Sequence, residues 1–341
     1  GVNYGSIMVA DDGLSLLGKL EDLKQVSRLY TAFSEQYSVT FCYDKTIINV
    51  IGSENDRKKL QESRIKIGGV TPNFDPQSLH IGLMMSEKVE DTEKINIQHR
   101  LKKVKEAAFG YLKTILWDNR NKPTIETRLK LYESIIRPVM ITGLCALKLP
   151  EKEKKEIIDF EKFMLRKLLD LRGRSSMNII FKLIGHLPIE AHLDSAVLSL
   201  LHNIWVNNEN PVFNLILETS KSSDGKGTWS REVTRILKKY DMPTIQELFE
   251  MRGPEKEAWK KYKMEKIKKY WSDEIERNLR TMSTARFSGP RSTNLDKKLS
   301  LNLRAVETQG DKWAIRNMLA IMCDGLETGV QLKHRGKEES D

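Results

Sequence analysis

Two adjacent carboxylates, Asp11 and Asp12, followed by Gly13, separate the apolar stretches Ile7-Met8-Val9-Ala10 and Leu14-Ser15-Leu16-Leu17. This pattern predicts a tight hairpin, because Asp accepts turn geometry and Gly accepts a positive φ. Such a turn presents both carboxylates at one tip. Carboxylates so placed can fix divalent cations that activate a hydroxyl nucleophile and neutralise a departing pyrophosphate. The same tripeptide also serves as an ordinary turn between apolar strands, so its chemistry depends on what the rest of the chain sets around it.

The elements that must position the turn follow in order. Leu20, Leu23, Val26, Leu29, Tyr30 and Phe33 recur at helical spacing and predict an amphipathic helix over 19–37. A strand follows over 39–50 with Lys45-Thr46 at its middle. A second strand pair is expected around 65–70 and 79–84, joined by a Pro- and Asn-rich turn at 71–76. From Glu87 onward the pattern is helical, with three helices expected near 88–117, 124–148 and 152–171 and breaks at 119–123 and Pro150. Pro138 should kink the second of them. Helices continue over 175–206. Residues 207–228, with Ser-Lys-Ser-Ser-Asp-Gly-Lys-Gly-Thr at their heart, read as a linker. A further helical module spans 229–283, residues 284–311 look mobile, a short helix is expected near 313–323, and the tail looks disordered.

Charge is distributed unevenly over the 341 residues. Lys and Arg against Asp and Glu count 9 to 10 over residues 1–86, 21 to 14 over 87–174, and 27 to 23 over the remainder. The surplus lies in the helical middle, where Arg100, Lys102, Lys103 and Lys105 open one helix. Lys155, Lys162 and Arg166, spaced by seven and four, share one face of another, opposite Ile157, Met164 and Leu168. Such stripes hold phosphate backbones through counterion release, and they also serve simply as solvated faces. In helix 255–279, Trp259, Tyr262, Ile267, Trp271, Ile275 and Leu279 lie near one stripe among seven lysines. That pattern suits a core seam and would also suit stacking on single-stranded nucleic acid.

Several classes are disfavoured. No apolar run approaches the roughly 20 residues of a membrane span, and no signal-peptide pattern opens at Gly1. Cys42, Cys145 and Cys323 are far apart and pair with no histidine at ligand spacing, which argues against zinc and for thiols in a reducing, intracellular setting, nucleus or cytoplasm.

Taken in order, the motifs resemble those of reverse transcriptases of non-long-terminal-repeat retrotransposons. Ala10-Asp11-Asp12 resembles the aspartate pair of polymerase motif C, and Tyr43-Asp44-Lys45-Thr46 is similar to motif D. Leu79-His80-Ile81-Gly82 is similar to the primer-grip hairpin with its glycine. Residues 128–132 with Ile136-Arg137-Pro138 and Gly143 resemble the thumb helix, and 183–191 a segment beyond the thumb. The likeness covers roughly residues 5–205. Val9 stands where the family has an aromatic, and the family's fingers and motif A aspartate precede motif C and have no counterpart within these residues.

The resemblance implies an α+β chain: a partial polymerase palm with β-hairpins over 1–86, then a predominantly helical thumb over 87–174. Post-thumb helices over 175–206, a linker over 207–228 and a basic carboxy-terminal region over 229–341 complete it. It implies two magnesium ions held by Asp11 and Asp12 with the upstream aspartate, and Lys45 on the triphosphate or leaving pyrophosphate. Ile81, Gly82 and Leu83 become the primer grip, and the basic residues of 87–174 contact an RNA template and DNA primer while deoxynucleotides are added. With the third carboxylate lacking, the 341 residues are expected to be inactive alone. A non-catalytic nucleic-acid-binding remnant of a retroelement, and a helical interaction protein in which Asp11-Asp12-Gly13 is only a turn, remain as alternatives.

Overall fold

The structure, a computed structural model, describes residues 6–9, 12–15, 17–38, 42, 45–51, 54–63, 66–67, 70–117, 123–171, 173, 175–209, 211–221, 229–281 and 319. It divides into two units, Gly1–His99 and Arg100–Asp341. The chain is mostly helical with a few small sheets, an α+β composition.

In the first unit, β1 (Ser6–Val9) and β2 (Asp12–Ser15) pair antiparallel, with Val9 opposite Asp12 and Met8 opposite Gly13. Asp12 and Gly13 are therefore strand residues rather than turn residues, and Ala10 and Asp11 lie outside the described residues. Helix α1 (Leu20–Tyr37) starts where the Lys19 amide donates to Asp22 Oδ2 at 3.0 Å and ends at Ser38, whose φ of 53° is left-handed. Ser15 and Tyr30 share a 2.8 Å hydroxyl hydrogen bond that ties β2 to α1.

The strand expected over 39–50 is present, among the described residues, only as β3 (Ile47–Ile48). After α2 (Glu54–Glu62) it pairs in parallel with β4 (Asn73–Phe74). The second hairpin also differs from expectation. Its strands are β5 (Gln77–His80) and β6 (Leu83–Ser86), while Ile67 bridges only its near neighbour Val70. Ile81 and Gly82, with φ of 48° and 79°, connect β5 to β6. Two successive positive φ values define the turn that matches strand twist, so 79–84 folds back on itself instead of reaching 65–70. Asn96, on α3 (Thr92–Lys105), fastens β6 by donating to Met84 O at 2.8 Å and accepting from the Met84 amide at 2.9 Å.

In the second unit, α3 runs on through a π turn (Glu106–Tyr111) into α4 (Lys113–Trp117), matching the helix expected over 88–117. Next come α5 (Ile125–Leu131), a π turn (Tyr132–Ile136) and α6 (Arg137–Ile141). The π turn lies immediately before Arg137 and Pro138. Arg137 donates to Tyr132 O, five residues back, and Pro138 follows with no amide to offer.

The remaining helices are α7 (Glu151–Leu168), α8 (Met177–Ile184), α9 (Ile189–Val206), α10 (Pro211–Lys221), α11 (Trp229–Lys239), α12 (Ile245–Glu250) and α13 (Lys256–Thr281). Helix α10 occupies half of the stretch read as a linker, because Phe213, Ile216 and Leu217 can be packed only once other helices are beside them. Ile157, Met164, Leu198, Leu201, Ile236, Ile267 and Ile275 are buried in one core drawn from α7, α9, α11 and α13. Segments that read as thumb, post-thumb and carboxy-terminal modules therefore share their interior. Leu319 is helical and buried; the rest of the stretches expected to be mobile, helical or disordered beyond 281 lies outside the described residues.

Candidate nucleic-acid interface

Of the proposed metal ligands, Asp11 lies outside the described residues and Asp12 is placed by its backbone alone, at the start of β2. Two carboxylates on consecutive residues suit a hard, oxygen-seeking cation such as magnesium, but two residues do not complete a two-metal site. Among the described residues, no group of three or more His, Cys, Asp or Glu could hold a metal ion.

Lys45 is exposed and sits in a short turn whose amide donates to Cys42 O at 3.1 Å. Ile81 and Gly82 form the β5–β6 turn, with Ile81 52% exposed, and Leu83 opens β6. A Gly at the second position lets the backbone reverse there, which is the conformational reason for its presence.

The basic residues separate into distinct environments. Arg100 is buried, and burial lowers its guanidinium pKa, so it leaves the surface stripe to which its spacing assigned it. Lys102, Lys103 and Lys105 are exposed, with Lys103 3.3 Å from Glu106. On α7, Lys155 is exposed and Lys162 is partly exposed, 3.4 Å from Asp159 Oδ1. Arg166 spends its Nε–H on Ser175 O at 3.0 Å, and burial lowers its pKa. The apolar face opposite them is sealed, Ile157, Met164 and Leu168 being fully buried.

The stripe of α13 resolves in favour of a core seam. Trp259 and Ile267 are buried; the Trp259 indole donates to Leu198 O at 3.0 Å, stacks on His202 and meets Trp205 edge-on. The Trp271 indole donates to the Tyr240 hydroxyl at 3.1 Å. Even Lys263 is buried, donating to Ser195 O at 2.7 Å and to the Ser199 hydroxyl, and burial lowers its ammonium pKa to about 8. The Trp259 ring, enclosed in this way, is closed to a nucleobase, while Tyr262 and Trp271 are partly buried.

Sequence reasoning missed a cluster on the surface of the second unit. Phe109 from the first π turn stacks with Trp117 of α4 at 5.7 Å between centroids and meets Phe163 of α7 at 6.2 Å. Lys167 Nζ stands 5.0, 4.9 and 5.6 Å from the Phe109, Trp117 and Phe163 ring centres. The signal was present as Phe163 and Lys167 at i and i+4 and as Phe109 and Trp117 eight apart. The π turn, which sets the facing of Phe109, was not readable from spacing.

Also missed were two buried polar networks that join helices distant in sequence. Glu161 Oε1 accepts from the Tyr132 hydroxyl at 3.0 Å and Oε2 from the Ile189 amide at 2.8 Å; burial raises its carboxyl pKa to about 8 despite these bonds. Burial works against ionised Glu232 too. Hydrogen bonds from Arg235 and from Lys154, at 2.7 Å, outweigh it and bring its pKa to about 2. His186 and His192, which share no helical face, are both brought to the α5–α6 segment, His186 3.0 Å from Glu133 and His192 3.1 Å from Arg137.

No protein-family model and no curated protein matches this chain. Among the described residues, no helix is long and apolar enough to cross a membrane.

Proposed function

We propose that the chain is the part of a retrotransposon reverse transcriptase that runs from the motif C hairpin through the thumb and beyond. The observation that carries this reading is the β1–β2 register. Val9 opposite Asp12 places Asp12 at the start of the second strand of an antiparallel hairpin, which fits a motif C hairpin carrying an aspartate pair. The β5–β6 hairpin with Gly82 in its turn, followed by the helices that begin at Thr92, supports it in the order the resemblance demands.

In this reading Asp11 is the principal metal ligand and Asp12 sets the hairpin or assists. A two-metal site needs a third carboxylate beside these two. The chemistry that magnesium supplies in such a site is activation of the primer hydroxyl and charge neutralisation on the leaving pyrophosphate. The chain's own work is positioning: Ile81, Gly82 and Leu83 steady the primer strand, Lys45 faces the triphosphate, and Lys102, Lys103, Lys105, Lys155 and Lys162 hold phosphates of the template and primer. A second reading, a nucleic-acid-binding remnant without catalysis, draws on the same lysines, which are exposed whether or not a metal site is complete.

Primer extension on an RNA template tests the proposal. Residues 1–341 alone should give no product, because a hydroxyl that is not positioned forfeits most of the rate. Fusion to a reverse-transcriptase fingers-and-palm segment should give magnesium-dependent synthesis that Asp11→Ala abolishes. A fusion that synthesises DNA equally well with Asp11→Ala rejects the motif C assignment.

A further inference from the structure

The Phe109–Trp117–Phe163 cluster has features that packing alone does not require. Phe163 lies in the last third of α7 and is 49% exposed, on the side away from the buried Ile157, Met164 and Leu168. Tyr111, two residues beyond Phe109 at the end of the same π turn, is 84% exposed. A side chain added at Gly110, between them, would meet no atom within 4 Å, so the space beside the turn is open. The turn itself interrupts a helix with a wider, weaker hydrogen-bond ring, a departure often found where a surface is used.

Charge completes the description. The two segments that carry the rings, 100–117 and 162–168, contain eight Lys and Arg and a single acidic residue, Glu106. Arg100 is buried, and Lys103 is engaged with Glu106. The ammonium of Lys167 is set among three aromatic rings. One exposed ring, Phe163, beside the partly buried Phe109 and Trp117 in a basic setting fits a ligand with flat apolar faces joined by anionic groups.

We propose that Phe109, Trp117 and Phe163, with Lys167, form a stacking platform for the bases of a single-stranded nucleic acid, its phosphates held by Lys167 and neighbouring lysines. A duplex keeps its bases stacked on each other and offers only phosphates, so the platform discriminates for unpaired strand. This rests on the nucleic-acid-binding part of the proposed function, whose lysines lie on the same segments, and uses neither magnesium nor Asp11.

Fluorescence anisotropy of the full chain tests the platform, with a labelled oligonucleotide of about 20 nucleotides and a blunt duplex of the same sequence across a salt series. Phe163→Leu should weaken single-strand binding about tenfold, the effect of one lost base–ring stack. It should leave the salt slope unchanged and duplex binding within about twofold. Lys167→Gln should instead lower the single-strand salt slope by about 0.7. Phe163→Tyr, which keeps a ring, should bind as the parent does, and circular dichroism melting should show all three variants folded. Undiminished single-strand binding by Phe163→Leu, equal loss on duplex and single strand, or failure of a folded Phe163→Tyr to bind would each overturn the proposal. None of these outcomes alters the primer-extension result expected of Asp11→Ala.

Discussion

The two units contrast in how they treat apolar side chains. From Arg100 onward, Leu, Ile, Met and Trp residues of several helices are closed to solvent, whereas among the described residues of the first unit Ile67 and Ile97 are the buried aliphatic ones. There, Leu29, Phe33 and Tyr37 of α1 stand exposed along one stripe, as do Ile47, Ile51, Leu79 and Ile81. The strands form separate two-stranded pairs, β1–β2, β3–β4 and β5–β6. Isolated hairpins are marginal in water, and small layers need a third strand or a packed helix to become stable on their own. Among the described residues, the second unit therefore encloses a core of its own and the first buries little.

Hydrogen exchange on the full chain gives the largest expected effect. Amides of α9 and α13 should exchange about a hundredfold or more slowly than those of β1–β2 and β5–β6. Opening of a poorly packed hairpin costs little, whereas opening of a core helix approaches the global stability. Equal protection in the two units would erase the contrast on which this comparison rests.

Truncation of the buried ion pair should come next. Glu232→Ala removes the closer partner of Lys154, 9% exposed, and leaves it only the exposed Glu151 at 3.4 Å; the loss should be about 3 kcal/mol in urea unfolding followed by helical circular dichroism. With the Glu232 pKa at about 2 in the folded state, its contribution is present above its ordinary value of 4.5 and disappears as pH falls toward 2. The acid limb of the stability curve should accordingly flatten in the variant.

Glu161 acts with the opposite sign. Its folded pKa, raised to about 8, makes the folded chain bind the extra proton between pH 4.5 and 8, so this group lowers stability as pH rises through that window. Glu161→Gln, which keeps an acceptor for the Ile189 amide, should remove the decline and leave the variant more stable than the parent at pH 9. A variant that retains the parent's slope across this range assigns the titration to another group.

The smallest effect belongs to the first unit. Ile81 is β-branched at a φ of 48°, a conformation that strains it, and Asn-Gly is the favoured pair for such a turn. Ile81→Asn should stabilise the β5–β6 hairpin by about 1 kcal/mol, visible as slower exchange of Met84 and Met85 amides without change in α9. If the substitution speeds exchange in the hairpin, the exposed Ile81 side chain has packing that matters more than its backbone strain.

Local periodicity determined a good deal of this protein by itself. The helices at 20–37, 92–117 and 256–281 and the antiparallel hairpin at the aspartate pair were readable because each depends on side chains a few residues apart. The basic face of Lys155 and Lys162 against Ile157 and Met164 was readable for the same reason. Other outcomes were decided only by tertiary structure. Spacing alone puts Arg100 beside Lys103 and Trp259 beside Lys260, and it cannot say which of them another helix will cover. Whether residues 79–84 pair with 65–70 or fold back at Ile81 and Gly82 depended on which closure was shorter. The sharing of one interior by α7, α9, α11 and α13, the ionised Glu232, the neutral-leaning Glu161 and the ring cluster around Lys167 arise between residues far apart in the chain. Burial and partnership there are properties of the packed helices, and no short window of sequence carries them.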